Sequence, residues 1–297
     1  MSSFWNWWVI VITVLNILAC FWLIKWTMKS RPGEAAEGEV TGHSWDGLEE
    51  LNNPLPRWWL WLFYGTLIFA FAYLALYPGL GNFKGVLGWT QENQWEAEVK
   101  RAEAQYGPIF QKYAAQDIET LAKDPEALDI GRRLYLNYCA LCHGSDGGGA
   151  PGFPPLNDDA WMFGGTPEQI KASILNGRNG VMPALGPALG GDEGVKQVAA
   201  YVASLSGRKV DPALADAGKE KFAAACAACH MPDGTGNVAL GAPNLTDKVW
   251  IYGSTLESIE ESIRNGRSGK MPAHKDFLGE DKVHLLTAYV YSLSKQK

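Results

Sequence analysis

The feature that most limits what this chain can fold into is a duplication built around C-x-x-C-H. GRRLYLNYCALCHG (Gly131–Gly144) is answered by GKEKFAAACAACHM (Gly218–Met231), and SILNGRNGVMPA (Ser173–Ala184) by SIRNGRSGKMPA (Ser262–Ala273), the latter pair agreeing at nine of twelve positions. Between them WMFG (Trp161–Gly164) parallels WIYG (Trp250–Gly253). The offset is 87 residues at the cysteines (139 to 226) and 89 afterwards (173 to 262), so one copy carries two extra residues. A period this long is a duplicated domain rather than a solenoid turn.

Each copy presents two thiols and an imidazole at i, i+3 and i+4: Cys139, Cys142, His143 and Cys226, Cys229, His230. On a helix those positions share one face. The thiols can therefore form thioethers to the vinyl groups of one porphyrin while the adjacent histidine reaches its iron. A zinc finger needs a further Cys or His at finger spacing, which neither copy supplies. A thioredoxin-like use of C-x-x-C needs a βαβ context, whereas these flanks read as helix. Two covalently attached haem c groups are the expected cofactors. Four of the five cysteines are then consumed, no structural disulfide is expected, and Cys20 is expected as a small buried apolar residue in a membrane span.

Met182 and Met271 fall at matching places in the repeat, each followed by Pro-Ala, and are the expected sixth ligands opposite His143 and His230. The proline stiffens the loop that holds the sulfur, and His-Met ligation raises the reduction potential. Spacing does not say whose haem each sulfur serves; the expectation adopted is its own repeat. Other candidates are weaker. Met162 is faced by Ile251 in the second copy and reads as core filler, and Met231 follows its own histidine and points away. His274 and His284 occur only in the second copy and are expected at the surface. His43 lies in a loop on the opposite side of the membrane.

Each repeat closes with an amphipathic helix, Val195–Gly207 and Val283–Lys295, whose stripe Val195, Val198, Val202, Leu205 matches Val283, Leu286, Val290, Leu293. Such a helix would cross the helix bearing Gly131 or Gly218, glycine permitting close approach.

Ahead of the duplication, Phe4–Ile24 and Trp58–Tyr77 carry no charged residue, and each is long enough to span about 30 Å of hydrocarbon. The first lacks the basic start and small-residue cleavage site of a signal peptide, so it is expected to remain as a membrane helix. Lys25, Lys29, Arg31 and Arg57 flank the loop between the spans, which places that loop in the cytoplasm and both termini outside. Tryptophans at both ends of the spans suit membrane interfaces. Trp89 to about Ala122 reads as a polar helix with Thr90 as N-cap, a spacer lying at the membrane surface. A net charge of −6 without a basic block excludes nucleic acid as a partner.

The architecture expected is therefore all-α, in six parts: membrane helix 1–24, cytoplasmic loop 25–57, membrane helix 58–78, linker helix 79–124, and haem domains 125–208 and 209–297. The haem domains resemble class I cytochrome c, on the C-x-x-C-H helix, the Met-Pro loop and the closing helix with its aromatic. With TGHSWDGLEELNNPLPRWW (Thr41–Trp59) in front of a membrane helix, the whole resembles the CcoP (FixP) subunits of cbb(3)-type cytochrome c oxidase. An additional first span occurs in only some members.

That resemblance implies an electron-transfer subunit in a bacterial inner membrane. It would pass electrons from a soluble or membrane-tethered periplasmic cytochrome c toward a second cytochrome c subunit and the catalytic haem-copper subunit, without bond chemistry of its own. NNPLPRWW (Asn52–Trp59) would dock the helix on that catalytic subunit. The alternatives are a membrane-anchored dihaem cytochrome c of another respiratory complex and a dihaem peroxidase. A peroxidase needs an open iron, against which the matched methionines argue.

Overall fold

In the computed structural model, which describes residues 1–295, the chain divides into two compact units, Met1–Ala104 and Gln105–Lys297. The first holds helix α1 (Ser3–Thr27), strands β1 (Val40–Trp45) and β2 (Leu48–Leu51), and helix α2 (Arg57–Leu76). Helices α1 and α2 are long and apolar enough to cross a membrane and leave nearly all their side chains outward, and Cys20 is among the exposed ones, not buried as expected. The start of α1 is tied to the segment that follows α2, with the Asn82 amide donating to Asn6 Oδ1 at 2.5 Å. Nearer the loop, Phe21 and Tyr64 meet at 6.0 Å.

The antiparallel pair β1–β2 corrects the all-α expectation. Asp46 and Gly47, both at positive φ, form its turn, and Asp-Gly is a favoured pair for a two-residue hairpin loop. SWDGLEE carries that turn cue, but no alternation of apolar and polar residues flanks it to mark the strands.

Helix α3 (Gln91–Ala114) begins in the first unit and ends in the second. Its N-cap is the expected Thr90, whose hydroxyl accepts from the Asn93 amide at 3.0 Å. Its far end is not a surface spacer. Tyr113, with Ile118 and Leu121 of the short α4 (Ile118–Leu121), is buried against Ala127, Leu285 and Ala288. The core of the second unit therefore starts well before residue 125.

The rest of that unit contains α5 (Pro125–Tyr138), α6 (Ala140–His143), α7 (Pro167–Asn176), β3 (Arg178–Met182) and α8 (Asp192–Leu205). The second repeat supplies α9 (Pro212–Ala225), α10 (Ala227–His230), α11 (Leu256–Asn265), β4 (Arg267–Met271), α12 (Lys275–Leu278) and α13 (Glu280–Leu293). Local chemistry sets the helix starts. Asp124, Thr166, Asp211 and Thr255 each accept backbone amides as N-caps, and Pro125, Pro167 and Pro212 occupy the first turn.

The two repeats do not fold separately. Closing helix α8 of the first packs on α9 and α11 of the second, and closing helix α13 of the second packs on α5 and α7 of the first. One core joins Val195, Val198, Ala199 and Val202 with Phe222, Cys226, Ile259 and Ile263. The other joins Tyr135, Ile170 and Ile174 with Leu278, Val283, Leu286, Tyr289 and Val290. Each lobe thus takes its opening half from one repeat and its closing half from the other. The connection Ser206–Asp211 supplies a physical reason. Helices joined by so short a link pair with each other, which commits α8 to α9 and leaves α5 for α13. Strands β3 and β4 bridge the lobes as a five-rung antiparallel ladder from Arg178–Met271 to Met182–Arg267.

Candidate functional site

Each C-x-x-C-H straddles a break between two helices. Helix α5 stops at Tyr138, Cys139 caps it, and the turn α6 carries Cys142 and His143; α9, Cys226 and α10 repeat this arrangement. All four cysteines are free thiols. Burial pushes the thiols of Cys139 and Cys226 up to about 11, so in the haem-free fold both are neutral at ordinary pH.

The histidines are oriented alike. His143 Nδ1 lies 2.9 Å from the Pro154 carbonyl oxygen and His230 Nδ1 3.1 Å from that of Pro243. A carbonyl only accepts, so the proton is assigned to Nδ1 and the Nε2 lone pair remains free to bind a metal. Burial lowers both imidazole pKa values, against the raising effect of these carbonyl contacts. The neutral, ligating form is the one favoured. Sequence reasoning missed Pro154 and Pro243, although each opens a matching stretch, PPLNDDAW and PNLTDKVW, ahead of the shared tryptophan.

The methionines cross over. Met182 packs against the core containing Cys226 and Phe222, and Met271 against the core containing Tyr135 and Cys139. Each methionine thus packs in the lobe of the other repeat's cysteines, through the same exchange that swaps α8 and α13, and not within its own repeat. Trp161 and Trp250 stay with their own repeats, in the lobes of Cys139 and Cys226 respectively.

Two further expectations change. His274 and His284 are not at the surface, being 7% and 9% exposed. His284 sits between Lys171 Nζ, at 3.1 Å from its Nδ1, and the Gln116 carbonyl oxygen, at 2.8 Å from its Nε2, so it joins α13 to α7 and to the end of the linker. Met231 is exposed, as its place after His230 suggested.

The donor set of each lobe fits a c-type haem: two thiols and a neutral imidazole on one wall, and a thioether in the same apolar core. Such a set can hold an iron between nitrogen and sulfur.

Comparison with known proteins agrees with this design. Residues 37–84 match the family described as the N-terminal domain of cytochrome oxidase-cbb3, FixP. Residues 126–202 and 213–290 each match the family described as cytochrome c oxidase, cbb3-type, subunit III. The chain is 48% identical over 295 residues to the cbb3-type cytochrome c oxidase subunit CcoP of Rubrivivax gelatinosus, covering 99% of this chain and 96% of that one. It is 42% identical over 280 residues to subunit FixP of Azorhizobium caulinodans, covering 88% and 95% of the two chains. Subunit CcoP of Rhodobacter capsulatus is 37% identical over 293 residues, covering 90% and 99%. With duplicated C-x-x-C-H lobes behind a FixP-type N-terminal segment, the chain belongs to the CcoP/FixP family of cbb3-type cytochrome c oxidase subunits.

Proposed function

We propose that this electron-transfer subunit carries two covalent haem c groups in crossed sites. Cys139, Cys142 and His143 would hold the first with Met271 of the other repeat. Cys226, Cys229 and His230 would hold the second with Met182. When bound, the haems supply reversible one-electron chemistry. The protein's part would be to keep both imidazoles neutral by burial, to orient them through the Pro154 and Pro243 carbonyls, and to supply a partly buried methionine sulfur from each apolar core. With Met182 and Met271 as second iron ligands, the sites would suit electron transfer rather than peroxide chemistry.

Helices α1 and α2 would anchor the chain in the inner membrane as a two-pass hairpin. Basic residues at the loop side favour a cytoplasmic loop, with both termini and the haem lobes in the periplasm. Electrons would enter from a periplasmic cytochrome c and leave toward a second cytochrome c subunit and the haem-copper catalytic subunit, on which Asn52–Trp59 would dock.

The observation that carries this reading is the twofold recurrence of C-x-x-C-H, an Nδ1-bonded histidine and a methionine in one apolar lobe. A pyridine haemochrome assay and intact-mass measurement on the matured protein should give two haems per chain, and purification should bring a haem-copper subunit with it. A mature product without added tetrapyrrole mass would overturn the proposal.

A further inference from the structure

The two lobes are copies, so a polar residue present in only one of them has to be explained by that lobe. Met182-Pro183-Ala184 is followed by Leu185, but Met271-Pro272-Ala273 is followed by His274. The backbones are held identically: the Leu185 amide donates to the Ile263 carbonyl and the His274 amide to the Ile174 carbonyl, both at 3.0 Å. Leu185 packs into the apolar cluster of its lobe. His274 is buried at 7% exposure, with its ring 5.2 Å from that of Phe277, which in turn lies 5.5 Å from Tyr138 beside Cys139.

Its Nδ1 is buried without a hydrogen-bond partner. Among the described residues the only other such side-chain atom is Thr41 Oγ1, in the other unit. Buried imidazole nitrogens are ordinarily paired. His274 also follows the Met271-Pro272-Ala273 turn, whose Met271 packs in the same lobe as Cys139, and its contact with Phe277 leads on to Tyr138 at the start of the C-x-x-C-H segment. The missing partner therefore belongs to whatever fills the His143 lobe. On the two-haem reading, on which this inference rests, that occupant is apolar except at its iron and its two propionate carboxylates. His143 and Met271 account for the iron, which leaves a carboxylate.

We propose that His274 Nδ1–H donates to a propionate of the haem held by Cys139 and Cys142. Leu185 denies the same contact to the other haem, so the two otherwise duplicate sites differ in potential. A donor at the propionate offsets negative charge that would otherwise favour ferric iron. Removing it lowers the potential of that haem alone.

The test uses the matured, full-length subunit in its complex, carrying His274→Leu, which copies the residue the sister lobe already tolerates, or His274→Gln, which keeps a donor. Two-component redox titration and the propionate bending bands in resonance Raman are read together. In His274→Leu, one of the two midpoint potentials should fall, with the propionate band of one haem displaced. His274→Gln should restore both at least in part. Unchanged potentials and bands, with two haems per chain still present, would overturn the His274 contact and leave the haem reading intact. Movement of both haems together, or loss of sulfur-to-iron charge-transfer intensity in the near infrared, would also overturn it, since either points to general repacking of the Met271 loop. A wild-type charge-transfer intensity matching a single Met-ligated haem would overturn it too, by making His274 an iron ligand. Absence of covalent haem would instead sink the underlying reading.

Discussion

Arg178 stands directly across an antiparallel rung from Met271, and at the other end of the same ladder Met182 stands across from Arg267. Both arginines are held rigidly. Arg178 Nε donates to Ser173 Oγ at 2.8 Å with its guanidinium 4.8 Å from the Phe163 ring, and Arg267 Nε donates to Ser262 Oγ at 2.9 Å with its guanidinium 4.5 Å from Tyr252. Each methionine is thus registered against a fixed point on the opposite repeat, and the ladder specifies the crossing.

The proposed crossed ligation makes a combination test possible. Met182→Ala and His230→Ala should damage the same haem, so the double variant keeps one intact six-coordinate haem, seen by its near-infrared charge-transfer band and its failure to bind carbon monoxide. Met182→Ala with His143→Ala should leave none. The reverse pattern would restore ligation within repeats.

Close helix crossings tie the repeats together at two glycines. A Cβ on Gly131 would lie 2.7 Å from Tyr289 Cβ and 2.9 Å from the Leu285 carbonyl oxygen, and one on Gly218 would overlap the Gln197 carbonyl. Because backbone is involved, neither crossing can relax by a side-chain rotation. Gly131→Ala and Gly218→Ala should each cost roughly 1–3 kcal/mol, measured by chemical denaturation of the detergent-solubilised full-length protein. No loss in either variant would contradict the exchanged packing.

Met231 follows His230 with φ 65° and ψ 157°, where the first repeat places Gly144 at φ 78° and ψ 153°. This region is nearly reserved for glycine and strains other residues by about 1–3 kcal/mol. Glycine's extra freedom in the unfolded chain returns roughly 0.5–1 kcal/mol of that. Met231→Gly should therefore raise stability by about 1 kcal/mol, seen as a higher Tm with unchanged haem spectra.

The raised thiol pKa values of Cys139 and Cys226 have consequences before haem is attached. At pH 8 a thiol of pKa about 11 is thiolate in roughly one molecule per thousand. Alkylation of the haem-free protein should accordingly be much slower at buried Cys226 than at exposed Cys229, followed by peptide mass spectrometry. The sign of the linked stability is fixed as well. Unfolded thiols release protons above about pH 8.5 while the buried pair retain theirs, so the haem-free fold should weaken as pH rises through that range. Equal reactivity of the two cysteines would remove this account.

The amino-acid sequence alone determined the duplication, the paired C-x-x-C-H motifs, the matched Met-Pro-Ala segments, the two apolar spans and the Thr90 cap. These follow from local spacing, from side-chain chemistry and from composition, none of which depends on what a segment packs against. The β1–β2 hairpin lay partly within reach, through Asp46-Gly47, but its strands lack an alternating face. Tertiary structure alone decided which half joins which. The stripe on α8 and the stripe on α13 present equivalent residues to equivalent grooves at Gly131 and Gly218, so both pairings satisfy the pattern equally. The short Ser206–Asp211 link and the β3–β4 register break that tie. The burial of His274 and His284, and of Tyr113 at the end of the linker, was hidden for a related reason: each is covered by segments distant in sequence, and no local pattern records a neighbour that only folding supplies.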